Sequence, residues 1–216
     1  MAGEYPGHPA AGNAKERVAR HIDAGISFFL DLTEEDELDP YTRFLPERHP
    51  VSGLPMVHKR MPIRDVDVPK SAAEMTAILD SIDGALKEGH VVYVHCWGGR
   101  GRTGTVVGCH FVRGGSTGRE ALLQVAELWK NVEKSAWKPT SPETDRQRSF
   151  VLAWRADGTA GANYWVASVI PRTAPWIPRC ARPCWDRSLQ TPSRRRMHRE
   201  MPLKPSSGPS TAAAGS

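Results

Sequence analysis

The sequence predicts an α/β fold, a mainly parallel central sheet flanked by helices. Two observations carry that expectation. Short apolar runs of strand length alternate with longer segments of helical period, as in strand–helix–strand units. Residues 91–94, VVYV, are apolar throughout, as a strand covered on both faces must be, and a glycine-rich loop follows that run and leads into a helix.

Taken in order, residues 14–24 place Val18 and Ile22 on one face of a short helix. Residues 25–32, GISFFLDL, read as a buried strand, and the charged, proline-rich stretch 33–55 as a long loop. Residues 57–63 predict a second strand, closed by a turn at 65–69. Ser71 and Glu74 then form a capping box. Met75, Ile78, Leu79, Ile82 and Leu86 follow at helical spacing, with Gly89 placed as a C-terminal cap. After the strand 91–94 and the loop 96–102, helices are expected from about Thr103, over 119–130 and over 142–154. The last is read as capped by Ser141, with Pro142 at its first position and Glu143 in its first turn.

These elements define one domain over residues 14–155. Beyond Trp154 the periodicity stops, and residues 156–216 form a Pro-, Arg-, Ser- and Ala-rich tail expected to be mostly disordered. The net charge of +5 belongs to that end. Residues 155–216 carry ten Lys and Arg against three Asp and Glu, whereas the rest carries 19 basic and 21 acidic groups. A nucleic-acid reading drawn from the basic balance therefore loses its footing in the domain. No apolar run is long enough to span a bilayer and the first residues lack the apolar core of a signal peptide, so a cytoplasmic location is expected. Cys96, Cys109, Cys180 and Cys184 are too few for a disulfide framework. Cys180 and Cys184 have no second pair at zinc spacing, so no metal site is expected.

Residues 91–109, VVYVHCWGGRGRTGTVVGC, contain two phosphate-binding frames. Gly99, Gly101 and Gly104 spell G-x-G-x-x-G. A dinucleotide site also needs an acid on a second strand about twenty residues on. The residue available is Glu120, inside a predicted helix, so this frame lacks its context. The other frame is His95-Cys96-x5-Arg102. A strand, a tight loop and a helix N-terminus aim several backbone N–H groups at one spot. With the Arg102 guanidinium these make a bowl for a tetrahedral dianion. Gly98, Gly99 and Gly101 keep side chains out of it, and the same positive field favours the thiolate of Cys96.

Residues 91–105 resemble the active-site loop of the cysteine-dependent protein tyrosine phosphatases. The form C-x-x-G-x-G-R-T-G is most similar to the dual-specificity group and its bacterial relatives. The resemblance covers the loop closely, extends over residues 14–155 and does not reach the tail. It implies a protein-tyrosine-phosphatase-like fold and hydrolysis of phosphomonoesters through a phosphocysteine, with no cofactor or metal and a phosphorylated protein as substrate. Cys96 is then the nucleophile, and Trp97, Gly98, Gly99, Arg100, Gly101, Arg102 and Thr103 line the phosphate site. His95 orients Cys96, and Thr103 caps the helix, reaches the sulfur, or does both.

Such chemistry needs a proton for the leaving oxygen. The family's acid lies about thirty residues before its cysteine, and MPIRDVDVPKS, residues 61–71, offers Asp65 and Asp67 there. Its similarity to a P-I-x-D-x-x-x-P arrangement favours Asp65 over Asp67, with Asp31 third. Gln147 either places the hydrolytic water, as a glutamine does in related enzymes, or is a surface residue. Trp97 can wall the pocket or stack on an aryl ring. Arg100 departs from the small or apolar residue of many relatives. A cation beside the bowl would suit a second phosphate, which leaves a phosphoinositide substrate open beside phosphotyrosine. A catalytically silent phosphate-binding or adaptor module, recruiting through Arg194–Arg196, is the third reading. Cys109 is a core thiol or a redox partner of Cys96. The sequence sets no oligomeric state.

Overall fold

The computed structural model describes residues 1–7 and 11–155. The tail reading, Cys180, Cys184 and Arg194–Arg196 lie outside the described residues. Four parallel strands form one sheet, in the order β1 (Ala2–Gly3), β4 (Val92–His95), β2 (Phe28–Asp31) and β3 (Val57–Arg60). The helices are α1 (Ala11–Asp23), α2 (Ala72–Lys87), α3 (Arg102–Arg113), α4 (Gly118–Trp129) and α5 (Asp145–Ala153). This is the expected parallel α/β architecture. Among the described residues no helix is long and apolar enough to cross a membrane.

Side-chain alternation along the strands sorts the core into two layers. Leu30, Val92 and Val94 pack with Met75, Ile78 and Leu79 of α2, Val106 and Cys109 of α3, and Val151 of α5. Phe29 and Tyr93 point the other way, onto Val18 and Ile22 of α1 and Tyr41 from the long loop. Both faces are covered, so β2 and β4 are buried at every position.

Three elements differ from expectation. The chain's first residues form a strand that pairs Ala2 with Val94 and Gly3 with His95, so ordered structure begins well before residue 14. Too short to show a period, this strand is visible only through its partner. The second predicted strand ends at Arg60, although Ile63 beyond it is buried. The last helix begins at Asp145 rather than at 142. Thr144 and Gln147 form its capping box, while the Ser141 hydroxyl donates to the carbonyl of Arg100 at 2.8 Å instead of capping the helix. Ser71 caps α2 as expected, accepting from the Glu74 N–H at 3.1 Å.

Candidate active site

Parallel strands deliver their carboxyl ends to one edge, where ligands of open α/β sheets bind. Here Asp31, Arg60 and His95 end β2, β3 and β4 in register. The chain then turns through residues 96–101 into α3. Gly99 takes φ +70°, and a methyl placed on it would overlap the backbone of Gly3 and Glu4. Tyr5 N–H donates to the Trp97 carbonyl at 2.9 Å. The catalytic-type loop is thus seated against the amino-terminal strand, a contact only glycine permits. At Gly101 a Cβ would press on the Gln147 amide, 2.9 Å away, whereas Gly98 faces open space.

Inside the loop, Cys96 is buried and its sulfur accepts from the Thr103 hydroxyl at 3.1 Å. Arg102, the first residue of α3, is also buried, at 2% exposure. Its guanidinium is held by a fork. Nη1 donates to Glu37 Oε2 at 2.7 Å and Nη2 to Glu37 Oε1 at 2.6 Å. Nη1 also reaches the carbonyls of Ile63 at 3.1 Å and Leu32 at 3.3 Å. Asp65 Oδ1 forms an ion pair with Nη2 at 2.9 Å. Burial alone would lower the Arg102 pKa, but the Glu37 hydrogen bonds and the charges of Cys96, Glu37 and Asp65 outweigh it and raise the value.

Behind the loop lies a buried polar network. Asp31 accepts from Thr33 N–H and Oγ1 at 2.9 and 2.6 Å. It also takes His58 Nε2 at 3.1 Å and Arg60 at 3.1 and 3.2 Å. Burial opposes its charge, yet the His58 and Thr33 hydrogen bonds, with the pull of His95, hold the carboxyl well below the usual range. His95 is fully buried, with Nε2 2.7 Å from the Tyr41 hydroxyl and Nδ1 3.7 Å from Asp31 Oδ1. Burial pushes its imidazole down to about 4 and the Tyr41 phenol well above its ordinary value. With the phenol protonated and donating to Nε2, the remaining ring N–H faces Asp31. His95 is therefore a neutral support behind Cys96.

Asp65 is thus brought to Arg102, and its side chain is 53% exposed. Asp67 turns instead to Arg146 at 3.0 Å and to the Val68 N–H at 2.8 Å. Asp31 is sealed behind the loop. Arg100 is committed elsewhere, donating to the Thr140 carbonyl at 2.6 Å, Thr140 Oγ1 at 3.0 Å and Glu143 at 2.8 Å. Trp97 stands 60% exposed. Cys109 is a core thiol, pushed up to about 12 by burial. Gln147 is not on the surface. It is fully buried, accepts from the N–H groups of Glu143 and Thr144, and donates to the Asp67 carbonyl at 3.0 Å. It therefore bonds to the loop that carries Asp65 and lies beside Gly101.

Sequence reasoning missed Glu37. A buried arginine needs a carboxylate, but TEEDELD at 33–39 offers five with nothing to choose among them.

A family model described as a Swiss Army Knife protein, DSP-PTPase phosphatase domain, matches residues 9–151. The "Putative tyrosine phosphatase 067L" of Invertebrate iridescent virus 3 is 27% identical over 146 residues, covering 63% of this chain. The chain spans 56% of that viral relative's length. Among solved structures, kinase-associated phosphatase with its catalytic cysteine replaced by serine shares the fold. Its TM-score is 0.52 at 17% identity, over 69% of this chain and 82% of that one. A mutant form of Tk-PTP is 26% identical over 67% of this chain and 83% of its own, with a TM-score of 0.47.

Proposed function

The chain belongs to the DSP-PTPase phosphatase family, and from that premise we propose that it hydrolyses phosphomonoesters through a phosphocysteine, with phosphotyrosine in proteins as its substrate. The Cys96 thiolate attacks phosphorus in line with the leaving oxygen, forming the S–P bond as the P–O bond breaks. Arg102 and the loop N–H groups hold the equatorial oxygens. Asp65, released from its ion pair as the phosphoryl group takes Nη2 and protonated in the substrate complex, gives its proton to the departing oxygen. In the second half Asp65, now a carboxylate, takes a proton from the water that attacks phosphorus. The S–P bond breaks, the Thr103 hydroxyl stabilises the sulfur as it leaves, and inorganic phosphate is released.

The observation that carries this reading is the position of Asp65. Thirty-one residues before Cys96 in sequence, it stands 2.9 Å from the guanidinium beside that cysteine. Gln147 fits a positioning role, since it hydrogen-bonds to the acid-bearing loop and lies beside Gly101 of the phosphate loop. For the substrate, the exposed Trp97 at the loop supports an aryl phosphate. Three donors of Arg100 are engaged by Thr140 and Glu143, which weighs against its serving a second phosphate of a phosphoinositide.

The test is hydrolysis of p-nitrophenyl phosphate by the wild type, Cys96→Ser and Asp65→Ala. It is followed by competition between a phosphotyrosyl peptide and a phosphoinositide, in the wild type and in Arg100→Met. The reading expects no activity in Cys96→Ser and a strong loss in Asp65→Ala. It also expects preference for the peptide, unchanged in Arg100→Met. Activity surviving in Cys96→Ser overturns the nucleophile. Preference for the phosphoinositide, lost in Arg100→Met, overturns the substrate class.

A further inference from the structure

Among the described residues two that are not glycine take a positive φ, Asp36 at +61° and Val66 at +53°. Aspartate tolerates that conformation, because its short polar side chain can bond to nearby backbone. Valine does not. Its branched Cβ crowds the backbone there, and such a residue persists only where its surroundings hold it. Val66 is 56% exposed, so its own packing is not what holds it. It occupies the third position of a turn in which the Asp67 N–H donates to the Arg64 carbonyl at 3.1 Å. Glycine or asparagine belongs at that position when φ is positive, and the commonest turn places it at negative φ instead.

Both ends of the turn are anchored. Before it, Ile63 is buried, donates its N–H to the Leu32 carbonyl at 3.1 Å and accepts from Arg102 at 3.1 Å. After it, Asp67 is bound through its carboxylate to Arg146 at 3.0 Å and through its carbonyl to Gln147 at 3.0 Å. Between those anchors Asp65, the residue before Val66, is drawn inward to the buried guanidinium, with Oδ1 2.9 Å from Arg102 Nη2.

We propose that Val66 is a positioning residue of the reaction: the ion pair of Asp65 with Arg102 holds it in strain, and a phosphoryl group arriving at Arg102 releases the acid and the strain together. This deepens the hydrolase reading above and rests on its assignment of Arg102 to the phosphoryl oxygens. Val66 acts through Asp65. Breaking an ion pair at a buried arginine opposes phosphate binding, and the relaxing turn offsets part of that cost. Left-handed strain at a branched residue is equivalent to about 5–30-fold in an equilibrium constant. A glycine in its place makes the same turn without strain. The free protein then keeps Asp65 on Arg102 more tightly, and phosphate has more to displace.

The experiment is a double-mutant cycle on the full chain, read by calorimetric binding of inorganic phosphate. Its corners are the wild type, Val66→Gly, Asp65→Ala and the double variant. Val66→Asn serves as a second substitution, which accepts positive φ without the flexibility of glycine. Val66→Gly is expected to weaken phosphate binding about 5–30-fold, and Val66→Asn to weaken it in the same direction. In the Asp65→Ala background, where no carboxylate holds the turn, Val66→Gly is expected to change the affinity less than about twofold. Urea unfolding supplies a readout that needs no ligand. Val66→Asn is expected to raise the midpoint, and not to raise it in the Asp65→Ala background. Unchanged phosphate affinity in Val66→Gly and Val66→Asn, equal changes in both backgrounds, or no gain of stability in Val66→Asn overturns the proposal. So does a wild type that binds no phosphate. Binding is scored apart from turnover, so a wild type that binds phosphate but leaves p-nitrophenyl phosphate intact removes the hydrolase reading, while the cycle still decides on Val66.

Discussion

Asp31 and His95 are register partners on adjacent parallel strands, with Oδ1 and Nδ1 3.7 Å apart, and Cys96 follows His95 directly. The carboxylate is saturated with donors and the imidazole is sealed in neutral form. The loop that carries the sulfur therefore springs from a rigid polar floor, and its dependence on pH can be worked out group by group.

For His95 the folded value of about 4 lies below the ordinary 6.5 of an unfolded chain. Between those values the unfolded chain holds a proton that the folded one lacks. Stability is expected to fall as pH drops from about 6.5 to about 4, by at most roughly 1.4 kcal/mol per pH unit from this site. Urea unfolding across that range should show a shallower slope in His95→Gln than in the wild type. Equal slopes would mean that His95 is not the buried neutral group described.

Asp31 acts at lower pH. Its folded pKa is depressed, so its stabilisation is complete above the unfolded value of about 3.9 and is lost as pH falls toward the folded one. Asp31→Asn leaves Arg60 and His58 without their carboxylate and is expected to cost about 3–5 kcal/mol near neutral pH. Thermal unfolding should show that penalty shrinking below about pH 4. A penalty that stays constant with pH would assign it to packing instead.

Gly99 and Gly53 share φ +70° but not surroundings. A methyl on Gly53 meets nothing within 4 Å, whereas one on Gly99 overlaps Gly3 and Glu4. Gly53→Ala is expected to cost about 1–2 kcal/mol, the left-handed backbone penalty alone, with activity retained. Gly99→Ala is expected to cost more and to lose activity, because it unseats the phosphate loop from the first strand. Equal costs in calorimetry, with equal activity, would show that the seating is immaterial.

The fold was legible wherever period and caps were strong. The Ser71 cap on the Glu74 N–H, the Gly89 turn and the apolar strand before Cys96 appear as expected, because each is a local preference that tertiary packing reinforces. The Glu74 carboxylate accepts from the Lys70 N–H rather than closing a box on Ser71. The amino-terminal strand was not, since two residues carry no period and pair with residues 92 positions on in sequence. At the site, Cys96 and Arg102 could be placed together because one loop spans them. Asp65 needed a resemblance to single it out. Arg100, Glu37 and Gln147 depend on contacts between segments distant in sequence, to Glu143, Arg102 and Asp67 respectively. Spacing along the chain encodes none of these.

The most direct test of the account is to look for the covalent intermediate. Asp65→Ala and wild-type protein would be mixed with p-nitrophenyl phosphate, quenched in acid within the first turnovers, digested and examined by mass spectrometry. The account predicts a phosphoryl group on the peptide containing Cys96, absent in Cys96→Ser. Turnover of the substrate with that peptide unmodified, or with a phosphoryl group on any other residue, would contradict it.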